Sequence, residues 1–220
     1  MRKIIVTTFV TLDGVMQAPG APEEDPTHGF KWGGWSAKHW DKVMEETMAA
    51  SMSRPFDLLL GRRTYEIFAA YWAFVKNNPV AEKFNSIHKF VVSGKPVELS
   101  WGPATLITGD ALAGLRQVKK TEGPDLLVNG SSRLVQTLLE SGFADTLHVW
   151  TFPVTIGKGK RLFAEGTRPA DWNLVDTKVS TTGVIMASYQ PKGDISVGTM
   201  VTEEPSELEL KRRKELSKEE

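Results

Sequence analysis

The chain has 220 residues and a formal net charge of zero, 27 basic against 27 acidic, which leaves no charge footprint for nucleic acid or an anionic membrane. With 40 % apolar and 25 % charged residues it has the make-up of a globular domain, and the length fits one large domain better than two small ones. Cysteine is absent, which excludes disulfides, thiolate metal sites and a cysteine nucleophile.

The start, Met1-Arg2-Lys3-Ile4-Ile5-Val6, is too polar for a signal-peptide core, and no later apolar run reaches membrane-spanning length. The expected compartment is therefore the cytoplasm. Lys3 to Val10 is rich in Ile, Val, Thr and Phe and predicts a buried first strand, closed by the turn Thr11-Leu12-Asp13-Gly14. Met16 to Trp35 has no periodicity, holds three prolines, and carries Phe30, Trp32 and Trp35. A long connection inside a compact domain is usually functional or disordered, and aromatics argue against disorder. It reads as a lid over a site near the first strand, or as a surface loop whose aromatics pack on the body. Ser36 is placed to cap a helix from Ala37 to about Ser51, with Trp40, Val43, Met44, Thr47 and Met48 as its core face. Asp41 and Glu45 lie one turn apart beside that stripe, as pocket acids or as solvated ones.

Asp57 to Leu60 predicts a short buried strand that stops at Gly61 and enters a helix whose apolar face is Tyr65, Phe68, Ala69 and Trp72. The start of that helix offers free N–H groups and the positive end of a dipole, with Arg62, Arg63 and Thr64 beside them. This is a phosphate seat or an ordinary strand-to-helix turn with solvated arginines. After Asn77-Asn78-Pro79 come a short helix from Val80 to about Asn85 and a strand, Ile87 to Val92, ending in Ser93-Gly94-Lys95-Pro96. Thr105 to Thr108 is a further short strand, and Asp110 caps a helix to about Lys120. Asp125 to Val128 is a strand closing in Asn129-Gly130-Ser131-Ser132-Arg133, followed by a helix with Leu134, Val135, Leu138 and Leu139 on one face.

Three strand ends thus carry glycine, hydroxyls and a cation. Ligands of α/β sheets bind outside the carboxyl ends of parallel strands, so this pattern suits an extended polyanion such as a dinucleotide. Neither G-x-G-x-x-G nor G-x-x-x-x-G-K-[ST] occurs. Gly157-Lys158-Gly159-Lys160 reads as a bulged turn rather than a phosphate loop. The last third predicts strands at Thr146 to Val154, Leu174 to Val179 and Val184 to Gln190, the last two joined at Thr182-Gly183. A mostly parallel sheet with antiparallel strands at its C-terminal edge follows. The expected domain is 1–191, and 192–220 is a charged tail, disordered or a mobile helix around Leu208 to Leu216.

The stretches Gly61 to Glu66, Val91 to Gly94 and Val128 to Leu134 resemble, in order and spacing, the dihydrofolate reductase-like superfamily. Thr11 to Gly14 and Phe152 to Gly159 look more like its riboflavin branch, the C-terminal reductase domain of the bifunctional riboflavin biosynthesis protein and its stand-alone bacterial relatives. The resemblance covers roughly Met1 to Gln190. It implies a three-layer α/β fold and an NADPH-dependent reductase of a pteridine- or pyrimidine-derived small molecule. Gly61, Arg62, Arg63 and Thr64 would hold phosphates, Ser93, Gly94 and Lys95 the adenosine 2′-phosphate, and Gly130, Ser131 and Ser132 the pyrophosphate, with a cis Gly130–Ser131 bond. Asp41 would be the carboxylate against the substrate, with Glu45 in reserve, and Asp13 would sit beside substrate and nicotinamide. The folate enzyme's Trp-x-Leu-Pro is replaced by Trp32-Gly33-Gly34-Trp35, and the zinc signature of deaminases is missing. Relatives in this branch are often dimers, so a homodimer is expected. Two other readings stay open: a module that binds NADPH, pterin or flavin without turnover, and a purely structural homodimer.

Overall fold

A computed structural model describes residues 1–218 of the chain. Eight strands form one sheet in the order β4-β3-β2-β5-β1-β6-β8-β7. They are β1 (Ile4–Thr11), β2 (Phe56–Gly61), β3 (Lys89–Val92), β4 (Ala104–Ile107), β5 (Asp125–Asn129), β6 (Thr146–Phe152), β7 (Asp171–Val179) and β8 (Ile185–Gly193). The first six in that order run parallel, and β8 and β7 add antiparallel at one edge. This is the expected mixed α/β arrangement, with the carboxyl ends of β1, β2, β3 and β5 along one rim.

Alternation along the strands separates two layers. Ile4, Val6 and Val10 of β1, Leu59 of β2, and Leu126 and Val128 of β5 share a core with Leu115 of α4 (Ala111–Lys120) and Leu134, Val135 and Leu138 of α5 (Ser132–Glu140). On the opposite face, Phe56, Leu58 and Leu60 pack with Tyr65 of α2 (Arg62–Trp72) and Phe84 of α3 (Pro79–Ser86). Further along that face, Trp150, Phe152 and Met186 pack with Met44 of α1 (Lys42–Met52) and with Phe30 and Trp35 of the long loop. Tyr65, Phe68, Ala69 and Trp72 all join the second core, as their helical spacing predicts.

Several boundaries differ from expectation. The helix expected from Ala37 is broken: a 3₁₀ turn covers Ala37–His39, Trp40 and Asp41 are extended, and α1 starts at Lys42. Asp41, not Ser36, is its cap, accepting from Met44 N at 2.9 Å, while Ser36 Oγ donates to Pro19 O. Trp40 consequently leaves the core and is 43 % exposed. β8 runs to Gly193, and 207–216 forms a helix, α6, with no buried side chain. Gly157 to Lys160 lies in the loop between β6 and β7 and not in a strand pair; the isolated bridge there joins Val15 and Arg161. The only cis peptide among the described residues is Gly102–Pro103, so Gly130–Ser131 is trans, against the expected cis bond.

Candidate functional site

The rim of the parallel strands brings two of the three expected clusters into contact. Gly61, at the end of β2, has an ordinary φ of −73°, so the turn itself does not demand glycine. Space does: a Cβ there would lie 2.1 Å from Ser131 Oγ and 2.8 Å from Ser131 Cβ. The starts of α2 and α5 are therefore side by side. Ser131 is held at φ 66°, directly after Gly130 at φ 81°, a left-handed conformation that costs an L-residue about 1–2 kcal/mol.

These two helix starts share a second property. α1, α3, α4 and α6 are capped by the side chains of Asp41, Asn78, Asp110 and Ser206. Among the described α-helices only α2 and α5 lack a side-chain cap. Their first N–H groups therefore stay free for an acceptor from outside, and the two dipoles present positive ends to one place. Arg62 lies there with Nη1 forked over both Glu66 oxygens at 2.8 and 2.9 Å, while Arg63 is exposed. Thr64 is buried at the first turn.

The third cluster sits at the end of β3. Ser93 Oγ accepts from Lys95 N at 3.0 Å and donates to Lys95 O at 2.7 Å. Its hydroxyl is committed to a tight turn that leaves Gly94 and Lys95 exposed.

The long loop crosses this rim. Buried Gln17 is its hub: Nε2 donates to Asp25 O and Thr27 O, both at 3.0 Å, and Oε1 accepts from Lys160 N at 3.1 Å. Lys160 also pairs with the Asp25 carboxylate. Burial pushes that carboxyl up, but the hydrogen bonds from Lys160 and Thr27 outweigh it and hold it below its ordinary value. Trp35 and Phe30 pack on the body, and Trp35 Nε1 donates to Gln17 O at 2.8 Å. Glu24 to Thr27 faces Arg63, Glu66 and Ile67 across a cleft of about 180 Å³. Burial raises the pKa of Glu24. The loop thus packs on the body at one end and reaches the α2 start at the other.

Neither candidate acid is free. Asp13 accepts from Thr11 Oγ1 at 2.6 Å, Ile156 N at 3.1 Å and Gly157 N at 2.7 Å, and Arg161 donates to its carbonyl. The Thr11 bond, with help from those two N–H groups, lowers its pKa to about 2. Asp41 spends Oδ1 on Met44 N and Oδ2 on Thr181 N and Oγ1, at 2.6 and 2.7 Å, and these bonds also lower its pKa. Both are anionic hydrogen-bond acceptors near neutral pH, unsuited to donating a proton. Asp41 ties the start of α1 to the β7–β8 hairpin; Asp13 ties the end of β1 to the loop after β6. Glu45, the reserve, is exposed one turn into α1.

Sequence reading missed Gln17 and the wall formed by Trp40. Phe9 stacks on Trp150 at 5.1 Å, and Trp40 stacks on Trp150 at 6.0 Å, with the Trp40 ring open to solvent. Phe9 and Trp150 are register partners on β1 and β6, so the sheet itself aligns these rings. The helical period of Trp40 with Val43 and Met44 masked the break that turns it outward.

A sheet of this order, with glycine turns after β2 and β5 at the carboxyl ends of its parallel strands, defines a dihydrofolate reductase-like, reductase-type fold. Within that class the chain belongs to the RibD C-terminal domain family, whose pattern matches residues 2–186. It is 25 % identical over 202 residues to the uncharacterized protein YyaP of Bacillus subtilis (strain 168), covering 87 % of this chain and 96 % of that one. A putative riboflavin biosynthesis protein from Shewanella sp. PV-4 superposes with a TM-score of 0.61 at 20 % identity, over 87 % of this chain and 99 % of that one. Dihydrofolate reductase from Enterococcus faecalis, in complex with NADP(H) and RAB-propyl, superposes with a TM-score of 0.55 at 16 % identity, over 86 % and 96 %. At these identities the two structures speak for the fold alone. No helix among the described residues is long and apolar enough to cross a membrane.

Proposed function

We propose that this chain is an NADPH-dependent reductase of a pteridine- or pyrimidine-derived small molecule. The observation that carries the reading is the pair of uncapped helix starts in contact at Gly61 and Ser131. Every other described α-helix satisfies its start with its own side chain, so these two are left for an anion. The free N–H groups of α2 and α5 fit a pyrophosphate, with Gly130, Ser131 and Ser132 on one side and Gly61, Arg62 and Thr64 on the other. Arg63 adds a cation on the lid side. Lys95 and the Gly94 N–H suit a 2′-phosphate, and Ser93 acts by rigidifying their turn.

Reduced nicotinamide, when bound, supplies the hydride. The protein's part is to orient and to exclude water. Trp40, backed by Phe9 and buried Trp150, offers a stacking face to a planar heterocycle. The loop held by Gln17 and Lys160 shields the α2 start. Asp41 fixes the wall by pinning the residue after Trp40 to the β7–β8 hairpin, and Asp13 holds the rim of β1 in place. A second reading, binding without turnover, is favoured by one observation: the oxygens of both acids are engaged as acceptors, which leaves neither as a proton donor.

Titration with NADPH, followed by tryptophan fluorescence with NADH alongside, tests the cofactor site. Micromolar binding with a preference for NADPH supports it, and binding of neither nucleotide removes the reductase reading. Oxidation of bound NADPH in the presence of pterin or pyrimidine substrates then separates turnover from binding alone.

A further inference from the structure

β1 lies in the interior of the sheet, between β5 and β6, yet only one of its faces is closed. Ile4, Val6, Thr8 and Val10 point to one side and are at most 5 % exposed. Ile5, Thr7 and Phe9 point to the other and are only half-buried. The two apolar clusters of that second side stop short of each other here. Ile5 packs on the one around Leu58 and Leu60, Phe9 on the one around Trp150 and Phe152, and Thr7 falls in the gap.

The register carries this gap across the sheet as one polar row. Thr7 is the partner of Asn129 on β5 and of His148 on β6, His148 of Ser188 on β8, and Ser188 of Asp176 on β7. Register partners project to the same side, so these side chains lie in line. The rows that flank them are apolar, Leu127 with Ile5 on one hand and Phe9, Trp150 and Met186 on the other. At one end Asn129 leads directly into the Gly130–Ser131 turn, and beside the row Trp40 stacks on Trp150. The row thus joins the proposed pyrophosphate seat to the stacking face. Among the described residues, its one side-chain hydrogen bond joins His148 Nδ1 and Ser188 Oγ, at 2.6 Å. A neutral imidazole has one donor and one acceptor nitrogen. Nδ1 is the partner available to the Ser188 hydroxyl, so the hydroxyl donates to Nδ1 and the ring proton stays on Nε2. Burial holds the pKa of His148 below its ordinary value, against the opposing charge of Asp176, and keeps the ring neutral. Nε2–H has no acceptor among the described residues and, unlike His39 Nε2, is not sealed from solvent.

We infer that His148, fixed by Ser188, donates from Nε2 to a carbonyl oxygen on the edge of the planar heterocycle that stacks on Trp40. It is thereby a specificity-determining residue, and Thr7 and Asn129 line the path from it to the cofactor seat. An amino-edged ring would set donor against donor at Nε2 and would find no free carboxylate, because Asp13 and Asp41 are engaged. A carbonyl-edged ring meets a donor already oriented for it. The inference deepens the proposed function and rests on it for the identity of the neighbouring cofactor.

Lumazine, a dioxo pteridine, and its diamino counterpart are the probes, titrated into the full chain beside NADPH. Wild type should prefer the dioxo ring. His148→Leu keeps the bulk and loses the donor; it should weaken lumazine about tenfold, abolish the preference between the two rings and leave NADPH affinity unchanged. His148→Gln presents an amide N–H at similar reach and should recover most of the lumazine affinity. Ser188→Ala releases the ring and should weaken lumazine about threefold. A histidine with a structural role alone would lower both rings alike. Nitrogen NMR of the wild-type imidazoles gives a second arm, with His148 assigned by its absence from the His148→Gln spectrum. Its Nε2 should carry the proton and shift when lumazine is added, which decides even where His148→Leu fails to fold. Equal lumazine affinity in wild type and His148→Leu, or an Nε2 signal indifferent to lumazine, overturns the inference. Binding of NADPH without lumazine overturns it too and leaves the cofactor reading standing. Binding of lumazine through His148 without NADPH supports it and removes the reductase reading instead.

Discussion

Replacing Gly61 by alanine is the sharpest probe of how the two helix starts are joined. The added Cβ would meet Ser131 Oγ at 2.1 Å and Ser131 Cβ at 2.8 Å. Rotating the hydroxyl away relieves the first contact and leaves the second. Relieving the second requires moving the Gly130–Ser131 turn, both of whose residues already sit at positive φ, 81° and 66°. Overpacking of this kind typically costs 1–3 kcal/mol, and a turn with so little freedom places Gly61→Ala at about 2 kcal/mol. Ser131→Gly removes both the obstructing Cβ and the left-handed strain of an L-residue, so alone it should stabilise by roughly 0.5–1 kcal/mol. In that background the alanine should cost under about 0.5 kcal/mol, a coupling of at least ~1 kcal/mol between the two sites. Equilibrium urea unfolding of the four proteins measures it. If Gly61→Ala costs the same with and without the Ser131 side chain, the two helix starts are not in contact as described. NADPH affinity should follow the same pattern, lost in Gly61→Ala and recovered in part in the double variant.

Arg62→Ala should weaken NADPH by roughly 1.5–3 kcal/mol, the range for a hydrogen bond to a charged group, and Glu66→Gln should tighten it slightly by releasing the fork; an unchanged dissociation constant for Arg62→Ala removes that residue from the site. Asp41→Asn should reduce turnover far more than NADPH affinity, because it loosens the wall beside Trp40; steady-state kinetics beside direct binding checks this, and equal turnover returns Asp41 to a capping role only. Asp13 has a pKa of about 2 in the folded chain against an ordinary 3.8. The unfolded chain therefore takes up the proton first, and the stabilisation, about 1–2 kcal/mol after allowance for solvent, is present above about pH 4 and lost on the way down to about pH 2. Asp13→Asn should flatten that acid limb in urea titrations, and an unaltered limb would contradict the latch. Buried Lys89 donates to Asn85 O and Gly102 O and faces no carboxylate within ion-pair distance, and burial lowers its pKa from 10.5 to about 8. Here the unfolded chain holds the proton longer, so wild type should gain about 2–3 kcal/mol relative to Lys89→Met between about pH 8 and 10.5; a constant difference refutes it.

The sheet was legible because its signals are local. Short apolar runs closed by glycine and a cation mark the ends of β2, β3 and β5, and Thr182-Gly183 marks the hairpin. What stayed hidden depends on contacts far apart in the chain. The break before α1 arises because Asp41 reaches Thr181, and Thr182 Oγ1 donates to His39 O at 2.5 Å, pulling Trp40 and Asp41 out of helical geometry. No window around Trp40 contains that information, and its helical spacing argued the opposite. Gln17 is likewise silent in sequence, because its role is defined by Asp25, Thr27 and Lys160 together. Gly61 was half legible: its place at a strand-to-helix turn could be read, but not that a serine from the turn after β5 approaches it.

The placement of unfavourable local choices is itself informative. A missing N-cap forgoes about 1 kcal/mol, and a left-handed serine costs about as much or more. Among the described residues this chain caps four α-helices with side chains and leaves two uncapped, and Ser131, one of four non-glycine residues at positive φ, lies between those two. Ser131 could satisfy α5 by adopting extended geometry and turning its hydroxyl to the helix, yet its backbone conformation leaves the first turn free and brings its Cβ against Gly61. On the proposed reading, the missing caps and the left-handed serine serve one external acceptor. Ser131→Asp, held in the same left-handed conformation, should leave stability in urea unfolding within about 1 kcal/mol of wild type yet abolish NADPH binding in fluorescence titration, since the introduced carboxylate would lie at the seat that a phosphate requires; unchanged NADPH affinity would remove the Ser131 turn from the cofactor site.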